Sequence, residues 1–516
     1  MMRIKYAIKN MAINMLSQVV ILLLAFVSRK VFIDSLGTEY LGINGLLTNV
    51  ISMLSLAESG IGLSIVYNLY KPLAEDDREK IIALIQLYKK AYGVLAVIIL
   101  ILSLAIYPFM NNLMKGAENI KFISLVYFIF VARNVISYLN AHKWSLINAD
   151  QKGYVLAKFN LMFQVITILG KIIILVLTKN YVLYLTLELG LFVFQNIFNG
   201  KIVDKRYSYI KTKKKYSIDL NTKKNIIKNV KAMFLHSIGG FCVNGTDNIL
   251  ISSFISIKAV GLYSNYSMVI GQLAALLGPV LSGISVGVGN LIATESEEKR
   301  YEVFKVSYFI TFWMYSFCVI FLYNLLEPFI NLWIGEGFLL DKRTFLIILL
   351  NFYLVGLRSV VLSFKMKSGL FTQDKYVPLI EGGVNLIASL ILIPYLGLSG
   401  VFLGTTISTL SIVFWNQPRI VYKYVFKKPV IAYFIKYASY IVIMMVTGAI
   451  TTFMCKFLVN GYSFISLCVK GTLCVGIVNG IYLAMFYRTD EFKYLLGVLK
   501  SQAPGKYRHK RLSGVI

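Results

Sequence analysis

Apolar runs of about twenty residues recur from one end of the chain to the other, separated by short polar segments. That length, at 1.5 Å per residue in a helix, matches the hydrocarbon thickness of a bilayer. The pattern predicts membrane helices near 12–34, 41–67, 92–113, 122–142, 157–178, 181–200, 232–257, 261–293, 306–330, 344–364, 377–395, 400–422, 430–455 and 464–487. The expected fold is therefore an all-α polytopic membrane protein with about fourteen transmembrane helices. The 261–293 run is long enough to tilt, kink or lie partly in the interface. A hydrophobic fraction of 57% with 15% charged residues, and a mean hydropathy of +0.70, excludes a soluble domain.

A formal net charge of +29 suggests nucleic acid until its distribution is read. With the N-terminus inside, 39 of the 53 Lys and Arg residues fall in inner segments and only seven in outer loops. This bias is the positive-inside rule, and it predicts a plasma-membrane protein with both termini cytoplasmic. The basic segments are expected to meet anionic lipids at the cytoplasmic face, and no nucleic-acid partner is implied. The apolar run after Met1–Asn10 has no small-residue cleavage site and continues into Arg29 and Lys30, so it reads as a first helix rather than a signal peptide. All five cysteines fall within predicted spans, without metal-ligand spacing, and read as packing residues.

The longest hydrophilic stretch, 201–231, divides the chain. The predicted organisation is an N-terminal lobe (1–200), a basic cytoplasmic linker (201–231), a C-terminal lobe (232–428), an appended helix pair (429–487) and a basic cytoplasmic tail (488–516). Internal similarity supports two pseudo-symmetric six-helix lobes. RKVFIDSLGTEYLG at 29–42 resembles DNILISSFISIKAVG at 247–261, placing Gly42 opposite Gly261 and Arg29 opposite Asp247. RNVISYLNAHKWSLINADQKGY at 133–154 resembles RSVVLSFKMKSGLFTQDKY at 358–376, placing Arg133 opposite Arg358 and, with one residue of slippage, Asp150 opposite Asp374. An even number of helices per unit makes these parallel repeats, a design that places substrate between the halves near the midplane.

Ionisable residues inside the spans carry the candidate chemistry, because a charge at membrane depth costs roughly 2.5–3.5 kcal/mol unless paired or hydrated. Arg29, Lys30, Arg133 and Arg358 are the candidate cationic site, and arginine's planar fork suits phosphate. Arg29 and Lys30 lie ~8 Å from the outer loop, within reach of a snorkelling side chain. Glu58, Asp247, Glu188 and Glu381 are candidates for charge balance or for titration when the site is empty. Their structural alternatives are a glutamate hydrogen-bonded in the Gly60–Gly62 helix contact and a salt bridge from Asp247, for instance to Arg29. Asn244, Thr246 and Asn248 give Asp247 a polar neighbourhood.

No G-x-x-x-x-G-K-[ST] and no H-E-x-x-H is present, and His142, His236 and His509 are scattered, so no ATP site and no metal site is expected. The outer loops are short. The residues favour a transporter without covalent chemistry.

Several segments then resemble a known family. LGTEYLGINGLLTNVISMLSLAESGIG at 36–62, VYNLYKPLAEDDREKI at 66–81, VGLYSNY at 260–266, LGLSGVFLGTTIST at 396–409 and WNQP at 415–418 are similar to the polysaccharide flippases. These are the Wzx-like branch of the multidrug/oligosaccharidyl-lipid/polysaccharide exporter superfamily, and the capsular and exopolysaccharide repeat-unit transporters are the nearest group. The resemblance implies a flippase that moves undecaprenyl-pyrophosphate-linked oligosaccharide from the inner to the outer leaflet by alternating access, driven by an H+ or Na+ gradient and without a bound cofactor. It implies glycosyltransferases and a glycan polymerase as partners in polysaccharide biosynthesis. Multidrug exporters of the superfamily usually carry an acid in the first helix, whereas Arg29 and Lys30 stand there in this chain and favour an anionic cargo. The alternatives are a drug or metabolite exporter of the same fold and a membrane polymerase or ligase of surface glycans.

Overall fold

The computed structural model describes residues 20–116, 120, 122–150, 152–370, 373–459, 461 and 463–502. The start of the first predicted span, residues 503–516 of the basic tail (His509 among them) and the side chains of His236 and Asn244 lie outside the described residues. The described structure is helical and contains no strand. In chain order the principal helices are α1 (20–36), α2 (Thr38–Leu54), α3 (Ile61–Ala74), α4 (Arg78–Ile106), α5 (Ile123–Leu139) and α6 (Ala141–Ala149). They continue with α7 (Tyr154–Thr178), α8 (Tyr181–Arg206), α9 (Leu220–Asn244), α10 (Asp247–Phe254), α11 (Ile257–Thr294) and α12 (Glu297–Ile334). The last six are α13 (Lys342–Lys367), α14 (Val377–Leu396), α15 (Leu398–Phe426), α16 (Ile431–Leu458), α17 (Phe464–Phe486) and α18 (Asp490–Gln502).

As far as they are described, the fourteen predicted spans fall on helix, with breaks inside some of them. Among the described residues, eleven helices are long and apolar enough to cross a membrane, and twelve do so if α5 and α6, bent by 48° at their junction, form one broken span. Large apolar side chains on these helices point outward, for example Ile173, Val176 and Leu177 on α7. A hydrocarbon surround makes that arrangement favourable, and helices satisfy their own backbone hydrogen bonds there. The protein is a multi-pass membrane protein.

Two predicted spans are interrupted. The 41–67 run breaks after α2, where Ser55–Glu58 forms a 3-10 turn and Gly60 adopts φ 85° before α3 begins. Only glycine takes that left-handed conformation without strain, and a Cβ on Gly60 would also press on Met233 of α9. The 232–257 run breaks at Gly245 and Thr246, between α9 and α10. Loop side chains set many helix starts. Asp77, Asn180, Asp219, Ser296, Asp341 and Ser463 each accept a hydrogen bond from a backbone N–H in the first turn that would otherwise lack a partner.

The chain forms two compact units. The first comprises the described part of Met1–Asn265 with Pro378–Gly404, and the second comprises Tyr266–Val377 with the described part of Thr405–Ile516. The core of the first unit gathers Leu54, Leu69, Leu84, Tyr88, Ile99 and Leu146 from α2, α3, α4 and α6. The 201–231 stretch is docked onto this unit. Its first residues extend α8, Tyr207 joins the core and donates its hydroxyl proton to Asp150 (2.6 Å), and Gln86 bonds the Lys214 carbonyl (2.7 Å).

The second unit is centred on stacked aromatics. Phe312 of α12 lies 3.9 Å from Tyr440 of α16, nearly parallel to it, and Tyr308, Tyr353, Tyr433 and Tyr482 surround the pair. Aromatic pairs add about 0.5–1.5 kcal/mol beyond area burial. The helix pair that looks appended in sequence, α16 and α17, therefore supplies part of this core. All five cysteines are free thiols, and Cys455 and Cys474 face each other at 3.8 Å inside the α16–α17 contact.

Candidate functional site

The most concentrated charge inside the spans lies in the first unit, at Glu188 of α8. One carboxylate oxygen accepts from Arg133 of α5 (2.6 Å) and the other from Lys171 of α7 (2.6 Å). Two cations share one anion, so the group carries a net positive charge. The carboxylate and Lys171 are largely buried, while the Arg133 side chain remains 47% exposed. Aromatic faces line the same group. The Lys171 ammonium sits 4.3 Å from the Tyr184 ring centre and the Arg133 guanidinium 5.5 Å from that of Phe192. Such placement adds cation–π attraction and dries the surroundings. Phe32 of α1 meets Tyr184 edge-on at 5.3 Å, which ties α1 to the same cluster.

Helix geometry explains the meeting. Lys171 lies seven residues before the end of α7 and Glu188 seven residues after the start of α8. A tight turn joins these helices, so both side chains sit ~10 Å below it, on antiparallel neighbours. Lys171 is the functional candidate that sequence reasoning missed. Equal distance from the turn at Lys179–Asn180 was the signal that could have revealed it.

Of the four acids offered for charge balance, Glu188 is the one that pairs with Arg133 in the structure. Glu58 ends the 3-10 turn before Gly60 and accepts from the Tyr92 hydroxyl (3.1 Å). Gly62 lies so close to that hydroxyl that a Cβ there would crowd it. The hydrogen-bonded alternative for Glu58 thus matches its geometry.

The salt bridge between Asp247 and Arg29 does not form. Arg29 instead donates to the Ser264 hydroxyl (3.0 Å). Asp247 opens α10, makes no ion pair among the described residues, and keeps Oδ1 buried without a hydrogen-bond partner. Its polar neighbourhood is real but serves the helix break. Asn49 of α2 donates to the Gly245 carbonyl (2.6 Å), and Asn248 donates to Asn49 (3.3 Å). Lys30 is half exposed and pairs with Asp34 one turn away (3.4 Å), the geometry of a surface pair.

In the second unit Arg358 of α13 donates through Nε to Gln417 of α15 (3.0 Å). A π turn at Thr409–Val413 precedes this contact and another at Tyr422–Phe426 follows it. Such turns change which side chains a helix presents on one face. Asp374 is buried against Lys365, whereas its sequence counterpart Asp150 bonds Lys152 and Tyr207. Burial alone would raise the Asp150 carboxyl; the Lys152 and Tyr207 hydrogen bonds hold it below the ordinary range. Glu381 is buried in α14, next to Gly382, where α9 and α14 approach closely enough that a Cβ on Gly239 or Gly382 would collide. Among the described residues no group of three or more His, Cys, Asp and Glu side chains could hold a metal ion.

Solved structures share this architecture. The chain is similar to the lipid II flippase MurJ in an inward closed conformation, with TM-score 0.64 and 16% identity over 92% of this chain and 98% of that one. It is similar to the Vibrio cholerae MATE transporter VcmN, with TM-score 0.55 and 12% identity over 80% and 96%. A third likeness is to a Pyrococcus furiosus transporter of the MOP superfamily described by a binding pocket of reversed polarity, with TM-score 0.52 and 13% identity over 81% and 95%. At these identities the likeness establishes the fold. No curated protein sequence matches the chain. Residues 7–286 match the family model described as polysaccharide biosynthesis protein. That match spans more than half the chain, which therefore belongs to the polysaccharide biosynthesis protein family.

Proposed function

We propose that this protein is a flippase that carries a lipid-linked, phosphate-bearing oligosaccharide across the membrane during polysaccharide biosynthesis. The observation that carries the reading is Glu188 shared between Arg133 and Lys171, with Arg133 still half exposed. A membrane protein bears the cost of an excess buried cation when something anionic is to be held there. Arg133 offers a forked donor for phosphate, and Lys171 offers a point charge. When cargo is absent Glu188 holds both; when a phosphate arrives it competes for Arg133, the more exposed partner. Family membership supports the polysaccharide link, and the MurJ-like fold supports a lipid-linked cargo moved by alternating access.

The finer reading is an undecaprenyl-pyrophosphate-linked repeat unit of a capsular or exopolysaccharide, moved outward with an H+ or Na+ gradient. The excess positive charge fits a pyrophosphate better than a cationic drug.

The test measures surface polysaccharide, and the leaflet in which lipid-linked oligosaccharide accumulates, for Arg133→Ala and Lys171→Ala at matched protein levels. Accumulation in the inner leaflet with loss of surface polymer is expected. Unchanged polymer in both variants would sink the phosphate-binding role. Drug sensitivity with normal polymer would point to an exporter, and flipped but unjoined units would point to a polymerase.

A further inference from the structure

A second amphipathic site lies in the second unit, away from the Glu188 cluster in sequence and in chemistry. Helices α12, α13 and α16 enclose a groove of about 690 Å3, walled by Ile320, Leu350, Tyr353, Met445, Gly448 and Phe453 among others. Its rim is open: Met445 is 62% and Phe453 67% exposed. At one end it continues into a polar pocket of about 360 Å3, and Tyr323, Thr452 and Lys456 line both.

Lys342, Lys456 and Lys470 surround the polar pocket, with Glu327 as its one carboxylate. Glu327 accepts from Lys342 (2.9 Å). Lys456 makes no ion pair among the described residues. The polar end therefore carries net positive charge beside Asn324 and Asn331.

We infer that this groove binds one anionic phospholipid, with an acyl chain along α16 and its phosphate at Lys456. Two observations favour that occupant. The first is charge: three ammonium groups against one carboxylate suit a phosphodiester and disfavour a headgroup with its own cation. The second is length. From Ile441 to Lys456 is fifteen residues, or ~22 Å of helix. This is about half the ~40–45 Å of a bilayer with its headgroup regions, so the groove spans one leaflet. On the topology implied by the basic loops, that is the outer leaflet. Gly448 keeps the groove open where α16 faces Ile320, because a larger side chain there would enter the space that the acyl chain needs.

The site is independent of the cargo reading, and its failure would leave that reading untouched. The test is native mass spectrometry of the full chain in detergent, with phosphatidylglycerol and phosphatidylcholine of identical acyl chains added together. The wild type is expected to retain phosphatidylglycerol about tenfold better, the worth of one charge-assisted hydrogen bond. Lys456→Gln should bring the two lipids near parity, and Lys456→Arg should keep the preference. Thr452→Leu and Gly448→Leu should lower retention of both lipids. Lys456→Gln leaves the apolar packing intact, so it reads out even if a groove-filling variant folds poorly. Equal retention of the two lipids by the wild type would overturn the inference, as would a preference unchanged in Lys456→Gln. A polyisoprenyl phosphate that displaces phosphatidylglycerol at equal concentration would also overturn it, by making the groove part of the cargo path.

Discussion

Gly42 and Gly261 contact each other's helices reciprocally. A Cβ on Gly42 would collide with the Ile257 carbonyl at the start of α11, and a Cβ on Gly261 would collide with the Thr38 carbonyl at the start of α2. Each glycine stands four residues after the residue that its counterpart's helix meets. The repeat alignment of 29–42 with 247–261 pairs these same two glycines, so the sequence similarity and the packing agree residue for residue. The backbones of α2 and α11 can approach this closely because small residues remove the side-chain layer between helices.

Gly42→Ala and Gly261→Ala are each expected to destabilise the protein by about 1–3 kcal/mol, the usual cost of overpacking. Thermal unfolding in detergent would show it as a lowered Tm. Gly93→Ala and Gly271→Ala serve as controls, since nothing lies within 4 Å of a Cβ at either position. They should be neutral or stabilising, because alanine favours the helix. Equal Tm values for all four variants would contradict the close approach.

Glu188→Gln leaves Arg133 and Lys171 without a carboxylate. Breaking a buried pair by removing one partner costs about 3–5 kcal/mol. Adding Lys171→Met to Glu188→Gln should recover part of that loss, because one stranded cation is removed. A double-mutant cycle on Tm reads the coupling, and strict additivity would mean that the two side chains do not interact.

Lys365 and Asp374 form a buried pair, and Lys30 and Asp34 form an exposed one. Asp374→Asn is accordingly expected to cost about 3–5 kcal/mol, and Lys30→Ala less than about 1 kcal/mol. Raised salt should weaken only the exposed pair. Comparable losses from the two substitutions would show that burial does not set their worth.

Asp219 caps α9 by accepting from the Thr222 N–H (2.7 Å) and from its hydroxyl (2.7 Å). These bonds favour the ionised form and, with Lys80 nearby, hold its carboxyl down to about 2. A depressed acid stabilises the fold at pH above its unfolded value of about 3.9, and the contribution fades as pH falls through about 2. The protection factor of the Thr222 amide, its exchange relative to the intrinsic rate at each pH, should therefore fall between about pH 4 and pH 2. Asp219→Asn keeps a capping oxygen and should lose that pH dependence. An unchanged profile in the Asn variant would remove Asp219 from the cause.

Much of the fold was legible along the chain. Apolar run length located the helices, because a bilayer accepts only segments of that length with their hydrogen bonds satisfied internally. The repeat alignment identified Gly42 and Gly261 as partners in register, although it could not say that they touch. Where the sequence misled, local breaks were the cause. Glu58 reads as mid-span, but Gly60 bends the backbone beside it, and Asp247 reads as mid-span, but α9 ends at Asn244.

The sequence by itself determined the class of molecule, where the apolar helices run and the presence of cations within them. Hydropathy and charge act locally or along the membrane normal, so they can be read without knowing which helix neighbours which. The tertiary structure alone decided the partners. Arg133 found Glu188 with Lys171, Arg29 found Ser264, and Asp247 found no cation among the described residues. Pairing depends on helix rotation and lateral packing, and neither leaves a periodic mark in one strand of sequence.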